Sequence, residues 1–184
     1  MTDTITIPGY RAGTWVIDPT HSEVAFSVRH LMISKVKGKF ERFTATFTTG
    51  ENPLDSKVEA TAEVASVNTN EANRDGHLRT GDFFEAETYP EIHFVSTAVR
   101  PNKDDFLVDG QLTIKGVTKP VTFEVEFGGF GSDPYGNYKA GLTAKATIDR
   151  TDFGLTYNAA LETGGVLIGE KVTITLDLQA AHQA

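Results

Sequence analysis

"VTFEVEF", residues 121–127, puts Val121, Phe123, Val125 and Phe127 on one side of an extended chain and Thr122, Glu124 and Glu126 on the other. A period of two marks a strand with one buried face and one wet face. The same pattern recurs in "VTITLDL" (172–178), "EVAFSVRH" (23–30) and "VEATAEV" (58–64). One wet face implies antiparallel pairing, since doubly covered parallel strands read as unbroken apolar runs.

Working outward from these stretches, alternation marks strands near 13–18, 22–31, 38–49, 57–67, 91–100, 105–116, 119–130, 137–150 and 170–180. With the first two taken as one bent strand, the count is about eight. Most connections are short and carry Gly, Pro, Asn and Asp, as in "KGVTKP" and "GSDPYGN", the chemistry of turns. Two connections are long. The first holds an inserted helix around 69–84, where Asn68 and Glu71 have the spacing of a capping box. The second is "TDFGLTYNAALETGGVLIG" (151–169), of a length associated with function or mobility. The expected fold is all-β: an eight-stranded antiparallel up-and-down barrel in a single domain spanning 1–184. Residues 1–12 form an N-terminal arm and 180–184 a C-terminal tail.

Composition narrows the function. With 17 basic and 25 acidic residues the net charge is −8, so the long-range field disfavours nucleic acid and anionic bilayers. The absence of cysteine removes disulfides, thiolate chemistry and Cys-ligated metals. No run of about 18 apolar residues is present for a membrane-spanning helix. "MTDTITIPGYRAGTW" lacks the apolar core of a signal peptide. A cytoplasmic location is expected.

The inward register of 137–150 is Tyr138, Ala140, Leu142, Ala144, Ala146 and Ile148, continuing to Arg150. Its alanines, with Ala60 and Ala62, leave space inside the barrel. Two readings follow. Either bulky residues such as Phe26, Phe40, Phe43, Phe47, Phe94, Phe106 and Phe123 fill that space, or they and the alanines line an apolar cavity. His30 shares the inward register of Val24, Phe26 and Val28. His30 and Arg150 therefore stand as head-group contacts or as structural polar ends.

"HLRTGDFFEAETYPEIHF" (77–94) is dense in histidines and carboxylates. No serine on a strand–turn–helix elbow accompanies it, and the five histidines have no metal-ligand spacing. Leu78, Phe83, Phe84 and Tyr89 read instead as a plug closing one barrel end. Asp75, Asp82 and Arg79 would pair locally, and His93 would point outward.

Four ordered blocks, "WVIDPTHSEVAFSVRHLMISKVKGKF" (15–40), "RDGHLRTGDFFEAETYPEIHF" (74–94), "GQLTIKGVTKPVTFEV" (110–125) and "IDRTDFGL" (148–155), closely resemble the YceI-like family. The resemblance implies an extended, lipocalin-like barrel with an inserted helix and a long hydrophobic tunnel. It implies a polyisoprenoid or isoprenoid-quinone type lipid as ligand, no other cofactor, and a homodimer. Family members often carry a signal peptide and this sequence reads without one, a departure that leaves the expected lipid-binding role in the cytoplasm, as isoprenoid transport or storage. On this reading Phe26, Val28 and His30 line the tunnel with Phe43, Phe47, Phe94, Leu112, Ile114 and Phe123. Tyr138, Ala140, Leu142, Ala144, Ile148 and Arg150 complete it, with the mouth near 151–169. Asp18, His21 and Ser22 lock the first turn. Two alternatives stand beside this: an enzyme on a small isoprenoid substrate, needing His30 or Arg150 with a carboxylate partner, and a ligand-free, stress-related structural dimer.

Overall fold

The computed structural model describes residues 5–159, 161 and 166–183. Its strands are β1 (Gly13–Ile17), β2 (Glu23–His30), β3 (Ser34–Phe40), β4 (Phe43–Thr49), β5 (Lys57–Glu63) and β6 (Val67–Asn68). After helix α1 (Ala72–Leu78) come β7 (Glu91–Asn102), β8 (Asp105–Ile114), β9 (Val117–Ser132), β10 (Tyr138–Asp149) and β11 (Ile168–Gln183). These segments act as eight staves. β11 pairs with β2 through Asp177↔Glu23 and with β1 through Ala180↔Ile17, so β1 and β2 are one strand bent at the short Pro19–His21 turn. β3 and β4 are likewise one strand broken at Glu41–Arg42, pairing with β2 and β1 in turn. β5 and β6 continue the third stave. From β5 the order runs β7, β8, β9, β10, β11, each antiparallel to the next, and the β1–β11 pairing closes the ring.

The expected eight-stranded antiparallel barrel is therefore the observed one, with three local corrections. β3 begins at Ser34, four residues before the alternation was placed, because "SKVK" carries one apolar residue among lysines on an outer face. Residues 180–183 are not a tail. They pair with β1 (Trp15↔His182, Val16↔Ala181), which removes the two strand edges an open barrel would expose. The helix is also shorter than 69–84 and is not capped by Asn68. Glu71 is the N-cap and accepts from the Asn73 and Arg74 amides, whereas the Asn68 side chain accepts from the Asn70 amide. Beyond Leu78 the chain breaks into turns around Thr80, whose carbonyl accepts from the amides of Phe83 and Glu85.

The inward residues fall into two classes. On β8, β9 and β10 most are buried, among them Phe106, Leu112, Phe123, Val125, Ala144 and Ile148. On β2 to β5 the corresponding Val24, Phe26, Val28, Val36, Phe43 and Val58 are only half-buried. Large-against-small packing exists in places. Phe94 and Phe26 occupy the positions where Gly110 and Gly38 would carry a Cβ. The β9–β10 ladder slips at Gly141/Leu142. Gly129 takes a φ of 115° opposite this slip, a backbone state open to glycine at little cost.

Asp18 joins the two walls. It accepts from the amide and hydroxyl of Thr20, contacts His21 Nδ1 at 3.0 Å and takes the Lys139 ammonium at 2.8 Å. That ammonium first, then Thr20 and His21, holds its carboxyl well below the usual carboxylate range. Ser22 completes the lock by accepting from the Gln179 amide at 2.9 Å.

Candidate binding cavity

A cavity of about 510 Å³ runs inside the barrel. Its wall is predominantly apolar. At one end it reaches Ile7 and Tyr10 of the N-terminal arm with Thr49 and Pro53. At the other it reaches Arg29 and His30 of β2, Arg74 and His77 of α1, and Tyr157 and Leu167 of the 151–169 connection. The cavity lies against the half-buried β2–β5 wall for a simple reason. Ala45, Ala60 and Ala62 there are too small to fill the bore, and Ala144 of β10 also borders it. A void of this size forfeits contacts on all sides, at a cost in stability.

Most residues singled out from the sequence border this space. Phe26, Val28, His30, Phe43, Phe47 and Phe94 do so, as do Leu112, Ile114, Phe123, Leu142, Ala144, Ile148 and Arg150. Tyr138 and Ala140 do not. They keep the inward register but lie beyond the closed end of the bore. There the Trp15 ring packs within 5.8 Å of Phe130 and Tyr138 and 4.8 Å of His182. The Tyr138 hydroxyl donates to the Gly9 carbonyl, and the Arg11 guanidinium lies 3.7 Å over its ring. An aromatic plug fed by the N-terminal arm thus occupies what alternation alone assigned to the lining.

Arg150 borders the cavity but is held otherwise than a head-group ligand. It is 5% exposed. Nε donates to Gly169 O at 2.8 Å, Nη1 to Leu155 O and Tyr157 O at 2.6 and 3.0 Å, and Nη2 to Ile168 O at 3.3 Å. The guanidinium staples both limbs of the 151–169 connection to the end of β10. Burial pulls its pKa down, while Glu170 and Asp149, beyond ion-pair distance, push it back up. His30 makes no side-chain hydrogen bond among the described residues. Among the described residues neither side chain has the carboxylate partner that an acid–base role requires. Among the described residues no group of three or more His, Asp and Glu gathers in metal-binding geometry.

The 77–94 stretch is the lid of one barrel end. Phe83 is buried, and Leu78 and Phe84 pack on the core. His77 holds Asp82 at 2.8 Å, with its ring edge-on to Phe83 and Tyr157. Asp75 accepts from Thr69, and Arg79 donates to the Ala65 and Val67 carbonyls. His93 faces outward between Thr61 and Glu59.

Lining residues that alternation had not marked include Val36, Thr69, Arg74 and Tyr157. Val36 was legible in "KVKGKF" as the apolar member of a strand. Arg74 and Tyr157 were not, since a short helix and an irregular connection place them. No Asp or Glu borders the cavity among the described residues, whereas Arg29, Lys57, Arg74 and Arg150 do.

A closed eight-stranded antiparallel barrel around an apolar interior is a lipocalin-like barrel. The chain belongs to the YceI-like domain family, whose model matches residues 15–180. A UPF0312 protein of Staphylococcus aureus strain MSSA476 is 41% identical over 160 residues, covering 86% of this chain and 91% of that protein. The crystal structure of Burkholderia cenocepacia BcnA superposes with a TM-score of 0.78 at 24% identity, covering 89% of this chain and 98% of that one. A polyisoprenoid-binding domain from Saccharophagus degradans superposes with a TM-score of 0.69 at 17% identity, covering 94% of this chain and all of that one (100%). At these identities the two structures speak for the fold.

Proposed function

We propose that the barrel binds one apolar, chain-like molecule of the polyisoprenoid or isoprenoid-quinone kind, sequestering or carrying it. The observation that carries this reading is the cavity of about 510 Å³, walled by Phe, Val, Ile, Leu and Ala side chains and free of carboxylates among the described residues. Its volume falls within the ~300–1,000 Å³ of ordinary small-molecule sites. Each methylene moved from water into such a wall gains about 0.8 kcal/mol, so a prenyl chain binds through length rather than through polar contacts. Membership of a family whose fold also serves a polyisoprenoid-binding domain supports the ligand class. The wall residues named above, from Phe26 to Ile148, are the proposed contacts.

Native mass spectrometry of the purified protein, followed by organic extraction, tests the proposal. A co-purifying lipid of low polarity is expected. Ala144→Trp fills the bore between β10 and β4 and should abolish that lipid while leaving the circular dichroism of the barrel unchanged. Undiminished lipid content in this variant sinks the proposed lining. Cytoplasmic action as a homodimer belongs to the same proposal, and cell fractionation and light scattering check those two parts.

A further inference from the structure

The β2–β3 hairpin ends in Leu31, Met32 and Ile33, which are 38%, 51% and 82% exposed. The Ile33 amide donates to His30 O at 3.2 Å, and both residues between them are left-handed, Leu31 at φ 55° and Met32 at φ 65°. Two consecutive positive φ values define the primed turn that hairpins normally make with Asn-Gly. Here two large apolar side chains occupy it, against both backbone preference and solvation. An outlier of this kind points to a role outside the folding of the hairpin.

The flanks have a second peculiarity. From Val24 to Phe40 the chain carries Arg29, Lys35, Lys37 and Lys39 and no carboxylate, although its net charge is −8. Arg29 and Lys35 are direct cross-strand partners, an arrangement that costs stability in a sheet. None of the four cations forms an ion pair within 4.0 Å among the described residues. The tip also stands at the rim of the cavity. Arg29, His30 and Leu167 border the bore, and the Leu31 amide donates to Leu167 O at 2.8 Å.

We infer that this hairpin docks the barrel on an anionic lipid bilayer, with Leu31, Met32 and Ile33 entering the interface and Arg29, Lys35 and Lys37 meeting the head groups. Apolar side chains backed by cations form the pattern of an interfacial anchor. The repulsion expected from the net charge is screened beyond about 8 Å at physiological ionic strength, so the local patch decides the contact. The inference rests on the lipid-binding reading only for its purpose, since docking at the cavity rim lets a chain pass between membrane and bore without crossing water.

Vesicle sedimentation tests it, using phosphatidylcholine with or without about 30% phosphatidylglycerol. The protein should bind the anionic vesicles about tenfold or more tightly, and added salt should weaken the difference. The triple variant Leu31→Asn, Met32→Gly, Ile33→Thr gives the turn its preferred residues. It should melt no lower than the parent and yet lose vesicle binding. Lys35→Glu with Lys37→Glu should remove the preference for phosphatidylglycerol. Uptake of the neutral dye Nile red, without vesicles, reads the cavity separately. It should survive the triple variant and fail in Ala144→Trp, which should still dock. Equal binding to both vesicle types, or docking by the triple variant, overturns the inference. So does a dimer that the triple variant dissociates, which would make a second copy the tip's occupant.

Discussion

The β8–β10 wall and the β2–β5 wall are written in the same alternating code, are built from the same residue types and border the same bore, yet most inward residues of the first are buried and many of the second are half-buried. Phe123 on β9 is buried against Phe94, with ring centroids 5.2 Å apart. Phe43 on β4, equally inward and bordering the same bore as Phe123, is half-buried. A barrel of eight staves has an interior close to the limit that side chains can fill. Small alanines at 45, 60 and 62 on one side and at 144 on β10, all bordering the bore, leave that interior hollow.

The largest expected effect separates the walls directly. Phe123→Ala should cost about 3–5 kcal/mol of unfolding free energy, the range for a buried aromatic. Phe43→Ala should cost about 1–2 kcal/mol, since much of its surface already faces a void. Denaturant unfolding of the lipid-free protein measures both, and equal losses would erase the distinction. Next comes the staple at the end of the hollow side. Arg150→Met leaves four carbonyls without their donor and should cost about 2–4 kcal/mol. Faster proteolysis within 151–169 should accompany the loss. A variant as stable and as protease-resistant as the parent would mean that Arg150 serves something other than the connection.

The smallest effect is at the seam. Asp18→Asn should cost about 1 kcal/mol at neutral pH through weakened hydrogen bonds to Lys139, Thr20 and His21. The folded-state pKa of Asp18 lies below its unfolded value near 3.8. Its stabilisation is therefore complete above about pH 4 and is lost as pH falls through that value toward the folded pKa. Melting curves of the two proteins should converge in acid. A gap that persists unchanged to low pH would assign the effect to packing rather than to charge.

Several features were legible in the chain because they repeat. Alternation at 121–127 and 172–178 reports only which face is wet, and that rule holds on any antiparallel sheet. The turn role of Asp18 was also readable, since Thr20 and His21 lie in the same turn, whereas its Lys139 partner on β10 was not. Tyr138 and Ala140 were misplaced because register names a face and not a depth along the bore. What filled their depth was Trp15 and the N-terminal arm, far away in sequence. Arg150 looked like a head-group ligand because its register ends inside. The carbonyls that capture it belong to an aperiodic connection.

The residues by themselves determined that strands form, that they pair antiparallel, and that their apolar faces turn inward, since each of these follows from local sterics and the transfer of side chains out of water. Tertiary structure alone decided where the interior is solid and where it is hollow. Volume at a point inside a barrel is set by what several distant strands contribute to it, and no single stretch of chain records that sum.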